Sequence, residues 1–196
     1  MWYTWFKAAK ESMGVFYIFH GEDEFSRAEE VAQLKAFVAR EGASDLNTTV
    51  LDGRRLALGE LIHASNALPF LGGRRLVIVN DFLQRLGARR RSASGEEAIA
   101  ESANPSEETA ALLAYLPNLP PTTYLVFVEG VTLPPNHPVL KFAQANPQGH
   151  VRVFPLLNPR HEEGRRSLAA WIRRRAQEKG TEITAPAIAA LIELVG

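Results

Sequence analysis

The chain has 196 residues, 46% of them hydrophobic, and its 22 basic and 22 acidic side chains cancel to zero net charge at pH 7. A neutral chain of this size and apolar content can bury a core, and no chain-wide field draws it to nucleic acid or an anionic membrane, so such binding would have to come from local patches. The absence of cysteine excludes disulfides, thiol catalysis and cysteine-ligated zinc, and makes a reducing cytoplasm the simplest compartment.

Residues 1 to 14, "MWYTWFKAAKESMG", carry aromatics but no apolar run of signal-peptide length. Met13 is a second candidate start, the alternative being a short amphipathic helix over residues 2 to 12. No later stretch is long and apolar enough to suggest a membrane span, so no membrane partner is expected. His20, His63, His137, His150 and His161 lack ligand spacing, which points to structural or surface roles and to no metal.

Five apolar, β-rich runs follow in order: "VFYIF" (15 to 19), "NTTVLD" (47 to 52), "RRLVIVND" (74 to 81), "TTYLVFVEG" (122 to 130) and "HVRVFPL" (150 to 156). Helical spacing separates the first three. Residues 25 to 40 place Phe25, Ala28, Val31, Ala32, Leu34 and Val38 near one face, and residues 57 to 67 do the same with Leu58, Leu61, Ile62 and Ala64. The strands are nearly continuous in hydrophobicity, as expected when helices cover both faces of a parallel sheet. Residues 85 to 108 are rich in Ser, Ala, Glu and Arg without apolar periodicity and read as a mobile insertion, with Arg89, Arg90 and Arg91 on a solvated loop. Helix resumes at "ETAALLAYL", closed by "PNLPP".

Composition changes after Leu156. A polar hinge, "LNPRHEEG", precedes a helix whose Leu168, Trp171, Ile172 and Ala176 form a stripe, with Gly180 ending it. A second helix opens with Thr184 as N-cap and Pro186 in its first turn.

"YIFHGEDEFSRAEE" has the strand, glycine and helix of a phosphate loop. In the GxxxxGK[ST] register Gly21 fits the first glycine, but Ser26 stands at the second, Arg27 at the lysine and Ala28 at the magnesium-binding hydroxyl. Glu22, Asp23 and Glu24 would repel an anion, by about 3 kcal/mol for each pair at roughly 5 Å. The same acids favour the positive end of a helix dipole, by roughly 0.3 to 1 kcal/mol each. Asp81 ends a strand without an adjacent glutamate to complete a water-activating pair, and Ser65, Ser92, Ser94 and Ser106 lie in no nucleophile elbow.

"NALPFLGGRRLVIV" crowds Leu68, Phe70 and Leu71 at a turn forced open by Pro69, Gly72 and Gly73. Such side chains either pack on their own domain or plug a hydrophobic pocket on a partner.

"FYIFHGEDEFSRAEE", "LPFLGGRRLVIVND", "TTYLVFVEG" and "WIRRRAQEKGTEITAPAIAALIELVG", in this order and spacing, resemble the delta subunit of the bacterial DNA polymerase III clamp loader. The resemblance runs from Phe16 to Gly196 apart from residues 85 to 108. It implies an α/β, AAA+-type, P-loop-like domain over residues 1 to 158, a parallel five-stranded sheet with helices on both faces. An incomplete helical lid would follow over residues 159 to 196, and the C-terminal collar domain of the family lies outside this chain. It implies further that the module hydrolyses no ATP and uses no cofactor, and that Leu68, Phe70 and Leu71 contact the sliding clamp. Within that family a leucine often directly precedes the phenylalanine, whereas Pro69 here separates Leu68 from Phe70. Other loader subunits would be partners through the collar, and DNA would be contacted only weakly or within the assembled complex. Two alternatives remain at this level: a degenerate P-loop NTPase or small-molecule kinase with Arg27 as its phosphate cation, and a DNA-binding module built on Arg165, Arg166, Arg173, Arg174 and Arg175.

Overall fold

Strands β1 (Val15–His20), β2 (Thr48–Asp52), β3 (Arg75–Asn80), β4 (Thr123–Glu129) and β5 (Gly149–Val153) pair in parallel in the order β2-β3-β4-β1-β5. The computed structural model describes residues 13–40, 45–70, 72–87 and 105–195 and divides into two units, Met1–Phe154 and Pro155–Gly196. Helices α1 (Glu24–Arg40), α2 (Leu58–Asn66), α3 (Leu83–Gly87), α4 (Pro105–Tyr115) and α5 (Pro138–Ala145) connect the strands of the first unit.

The period-2 geometry of a strand divides the core in two. Phe16 and Ile18 of β1, with Val77, Val79, Leu125 and Phe127, meet Leu61 of α2, Leu112 of α4 and Leu140 of α5. Val15, Tyr17 and Phe19, with Leu76, Ile78, Tyr124 and Val126, meet Leu34 and Val38 of α1. Burial on both faces is why β1 reads as an unbroken apolar run. The α/β sheet therefore agrees with the sequence reading.

Two details of that reading need correction. On α1, Phe25 is 60% exposed and Ala28 and Ala32 also face solvent, whereas Glu30 is buried. The inward face is rotated because Glu30 forms an ion pair with Arg152 of β5, and a paired carboxylate can occupy a place that apolar periodicity assigns to alanine. In addition, both described ends of the expected insertion are helical. Arg85 to Gly87 belong to α3 and Pro105 to Glu108 to α4, and Arg85 pairs with Glu108 at 2.8 Å. Residues 88 to 104, with Arg89, Arg90 and Arg91, lie outside the described residues.

The second unit holds α6 (Glu162–Glu178) and α7 (Ala185–Val195). Gly180 adopts φ +73°, and the Thr181 amide returns to the Ala176 carbonyl at 3.0 Å, which ends α6 in the manner of a glycine C-cap. Thr184 caps α7, its hydroxyl accepting from the Ala187 amide at 3.4 Å.

Candidate functional site

The carboxyl ends of parallel strands are where α/β proteins place ligands, and β1 leads there into Gly21. Gly21 has φ +127°, and a Cβ on it would lie 2.2 Å from the Phe154 carbonyl oxygen, so the turn requires glycine. Its amide is shared between the carbonyls of Glu129 at 3.3 Å and Val131 at 3.1 Å. The Asp23 amide donates to the Phe154 carbonyl at 3.0 Å, and the Arg27 amide to the Asp23 carbonyl at 3.1 Å. Asp23 Oδ1 accepts the Ser26 amide at 3.0 Å, an N-cap for α1. The Arg27 guanidinium donates to the Gly21 carbonyl, and Ala28 is exposed on the helix. Four amides and one cation of this strand, turn and helix are thus bonded within the protein.

The three acids do not act alike. Asp23 caps the helix and Glu24 lies in its first turn, but Glu22 precedes the helix and accepts from the Thr132 hydroxyl at 2.9 Å and amide at 3.1 Å. Those bonds hold its carboxyl below the usual range, the hydroxyl contributing most.

Sequence reasoning passed over Glu129, which ends β4. It is fully buried, with Oε1 accepting the amides of Phe82 at 3.0 Å and Leu83 at 2.8 Å and Oε2 that of Gln84 at 3.1 Å. Burial pushes its carboxyl up to about 7 against those three donors, and the nearby Asp81 charge adds to the rise. The available signal is an acid between an apolar strand and Gly130, matching Asp81 after β3. Asp81 has φ +56° and accepts from the Gly130 amide at 3.1 Å and from Arg54 Nη2 at 2.7 Å. That hydrogen bond raises the Arg54 guanidinium further above its ordinary value.

The neighbouring histidines are structural. His20 Nδ1 accepts the Leu133 amide at 3.1 Å, His137 Nδ1 accepts the Val139 amide at 3.3 Å, and His137 Nε2 faces the Leu83 carbonyl at 3.1 Å. Burial lowers both imidazoles and so favours their neutral forms. Among the described residues no group of three His, Cys, Asp or Glu side chains is placed to hold a metal ion. The described side chains at this edge act as caps, hydrogen-bond acceptors and an ion pair.

The turn between α2 and β3 has a different chemistry. Leu68 is 85% exposed and Phe70 is 57% exposed, while Gly72 and Gly73 adopt φ +84° and +80°. Leu71 lies outside the described residues. The buried Asn47, just before β2, hydrogen-bonds the backbone of Phe70, and Leu46 beside it is also exposed. This side chain was invisible to local patterns because its partner lies 23 residues away. The turn therefore presents apolar side chains on a held backbone.

The five α6 arginines of the DNA-binding alternative fall into two sets. Arg165, Arg166 and Arg173 border a groove of about 550 Å³ between α6 and α7, whose apolar wall includes Ala169, Ile188 and Ile192. Arg174 and Arg175 approach Glu178 at 3.8 and 3.6 Å, and Arg175 also lies over the Trp171 ring.

No curated protein sequence matches the chain. Among solved structures, it is similar to the DNA clamp loader delta protein of Bacillus subtilis, with a TM-score of 0.70 and 19% identity over 97% of this chain and 51% of that one. It is also similar to a DNA polymerase III gamma subunit-related protein of Thermotoga maritima, with a TM-score of 0.47 and 17% identity over 86% of this chain and 49% of that one. The chain thus spans about half the length of each. Residues 17–132, more than half of the sequence, match the family described as DNA polymerase III, delta subunit, and the chain belongs to that family.

Proposed function

We propose that this chain serves DNA replication as part of a non-hydrolysing clamp-loader subunit that binds the sliding clamp through the turn at Leu68 and Phe70, with Leu71 beside them. The observation that carries the proposal is the exposure of Leu68 and Phe70, 85% and 57%, on a turn fixed at the sheet edge. Family membership supports it, as does the likeness to a protein named as a clamp loader delta protein.

The mechanism is binding alone. Burying such side chains in a pocket is worth roughly 1.5 to 3 kcal/mol each, before the cost of ordering the interface. A surface that fits the opened ring better than the closed one shifts the ring toward opening without hydrolysis. Other loader subunits would assemble through the collar region of the family and control access to the turn through their own ATP, in the cytoplasm. DNA would be held mainly by the assembled complex. The Arg27 NTPase or kinase is not favoured, because the guanidinium already bonds the Gly21 carbonyl.

Titrating the sliding clamp of the same cell against wild type and Phe70→Ala tests the assignment. We expect affinity to fall at least tenfold with the melting temperature nearly unchanged. Unaltered affinity, or loss of the fold, would sink it.

A further inference from the structure

We propose that Asn47 is a positioning residue for the clamp-binding turn, setting affinity for the partner's apolar pocket without touching it. The inference rests on the clamp assignment above. Asn47 is fully buried, at the end of a short 3-10 turn (Asp45–Asn47) that leads directly into β2. Its Oδ1 accepts the Phe70 amide at 2.5 Å, and its Nδ2 donates to the carbonyls of Phe70 at 3.1 Å and Gly72 at 3.3 Å.

A carboxamide is chemically a peptide group. Here it pairs with both the N–H and the C=O of Phe70, as a neighbouring strand would, just before the β2–β3 ladder begins at Thr48 and Leu76. The turn needs such support. It holds two successive glycines at positive φ, and eight residues separate α2 from β3, so many backbone shapes compete with the one observed. Asn47 selects the shape in which the Phe70 backbone faces the protein and more than half of its residue surface remains open. Fixing a loop in its bound shape before contact removes an ordering cost that would otherwise weaken binding.

The experiment uses Asn47→Ala, Asn47→Asp, Phe70→Ala and the Asn47→Ala/Phe70→Ala double variant in the protein that carries this chain, with the sliding clamp as probe. Asn47→Asp keeps an acceptor for the Phe70 amide but turns an oxygen toward two carbonyls, so it remains informative if the alanine variant is too unstable to assay. We expect clamp affinity to fall at least fivefold in each Asn47 variant, and the Phe70 amide to exchange with deuterium at least tenfold faster in the absence of clamp. In the Phe70→Ala background, Asn47→Ala should weaken binding less than twofold further. A purely structural role would instead give an undiminished loss in both backgrounds. If Phe70→Ala destroys binding while both Asn47 variants stay within twofold of wild type, the positioning role is refuted and the clamp assignment stands. If Phe70→Ala leaves binding intact, the clamp assignment fails and the positioning role fails with it.

Discussion

Replacing Glu129 with glutamine should change how stability depends on pH far more than it changes the fold. The carboxyl is fully buried, and burial raises it from an ordinary value of 4.5 to about 7. Between these values the folded chain keeps a proton that the unfolded chain has released, so raising the pH favours unfolding by up to about 1.4 kcal/mol per pH unit. Over the whole interval this amounts to about 3 kcal/mol of stability, fully present below about pH 4.5 and lost above about pH 7. Glutamine cannot ionise and still offers an oxygen to the amides of Phe82 and Leu83. The stability of Glu129→Gln minus that of wild type should therefore increase by about 3 kcal/mol from pH 4.5 to 7.5, whatever its starting offset. Urea unfolding at several pH values measures this difference and cancels titrations common to both proteins. Parallel curves would refute the reasoning, because they would mean that the three amides hold an ionised carboxylate throughout.

His20 and His137 act in the opposite sense. Their neutral forms are favoured by burial, so their contribution is lost as pH falls below about 6.5, where unfolded imidazoles take up protons. Proton NMR should place both midpoints below 6.5, and Glu22→Gln should lower that of His20 further, since the Glu22 charge raises it; an upward shift would contradict this. Restoring the phosphate-loop residues with Ser26→Gly, Arg27→Lys and Ala28→Thr should give no heat with millimolar ATP and magnesium in a calorimeter, and saturable binding would show that the internal bonds at Gly21 and Asp23 yield easily.

The parts of the fold that were legible in the sequence follow from burial. β1 is covered on both faces, so its apolar run is continuous, and the glycine required at Gly21 by φ and by the Phe154 carbonyl marks the turn after it. Crowding of apolar residues around Pro69 marked an unusual turn but left packing on the same domain and a surface plug both open, and Leu68 and Phe70 are exposed. What stayed hidden depends on partners distant in the chain. Glu30 occupies an inward place because of Arg152, Glu129 caps a helix from the neighbouring strand's end, and Asn47 finds Phe70 across β2 and α2. A local pattern carries no information about these pairs, because each is created by sheet topology.

The contact between Gly21 and the Phe154 carbonyl also bears on history. If the same strand, turn and helix once held a phosphate, losing three side chains alone would have been reversible by three substitutions. The surrounding backbone is bonded to itself, with the Asp23 amide on Phe154 and the Arg27 guanidinium on Gly21. Each of these bonds now supports the fold, so an intermediate that reopens the loop loses stability before any ligand can repay it. Bonds of this kind make an unused ligand loop a structural joint, whose worth to the fold no longer depends on any ligand.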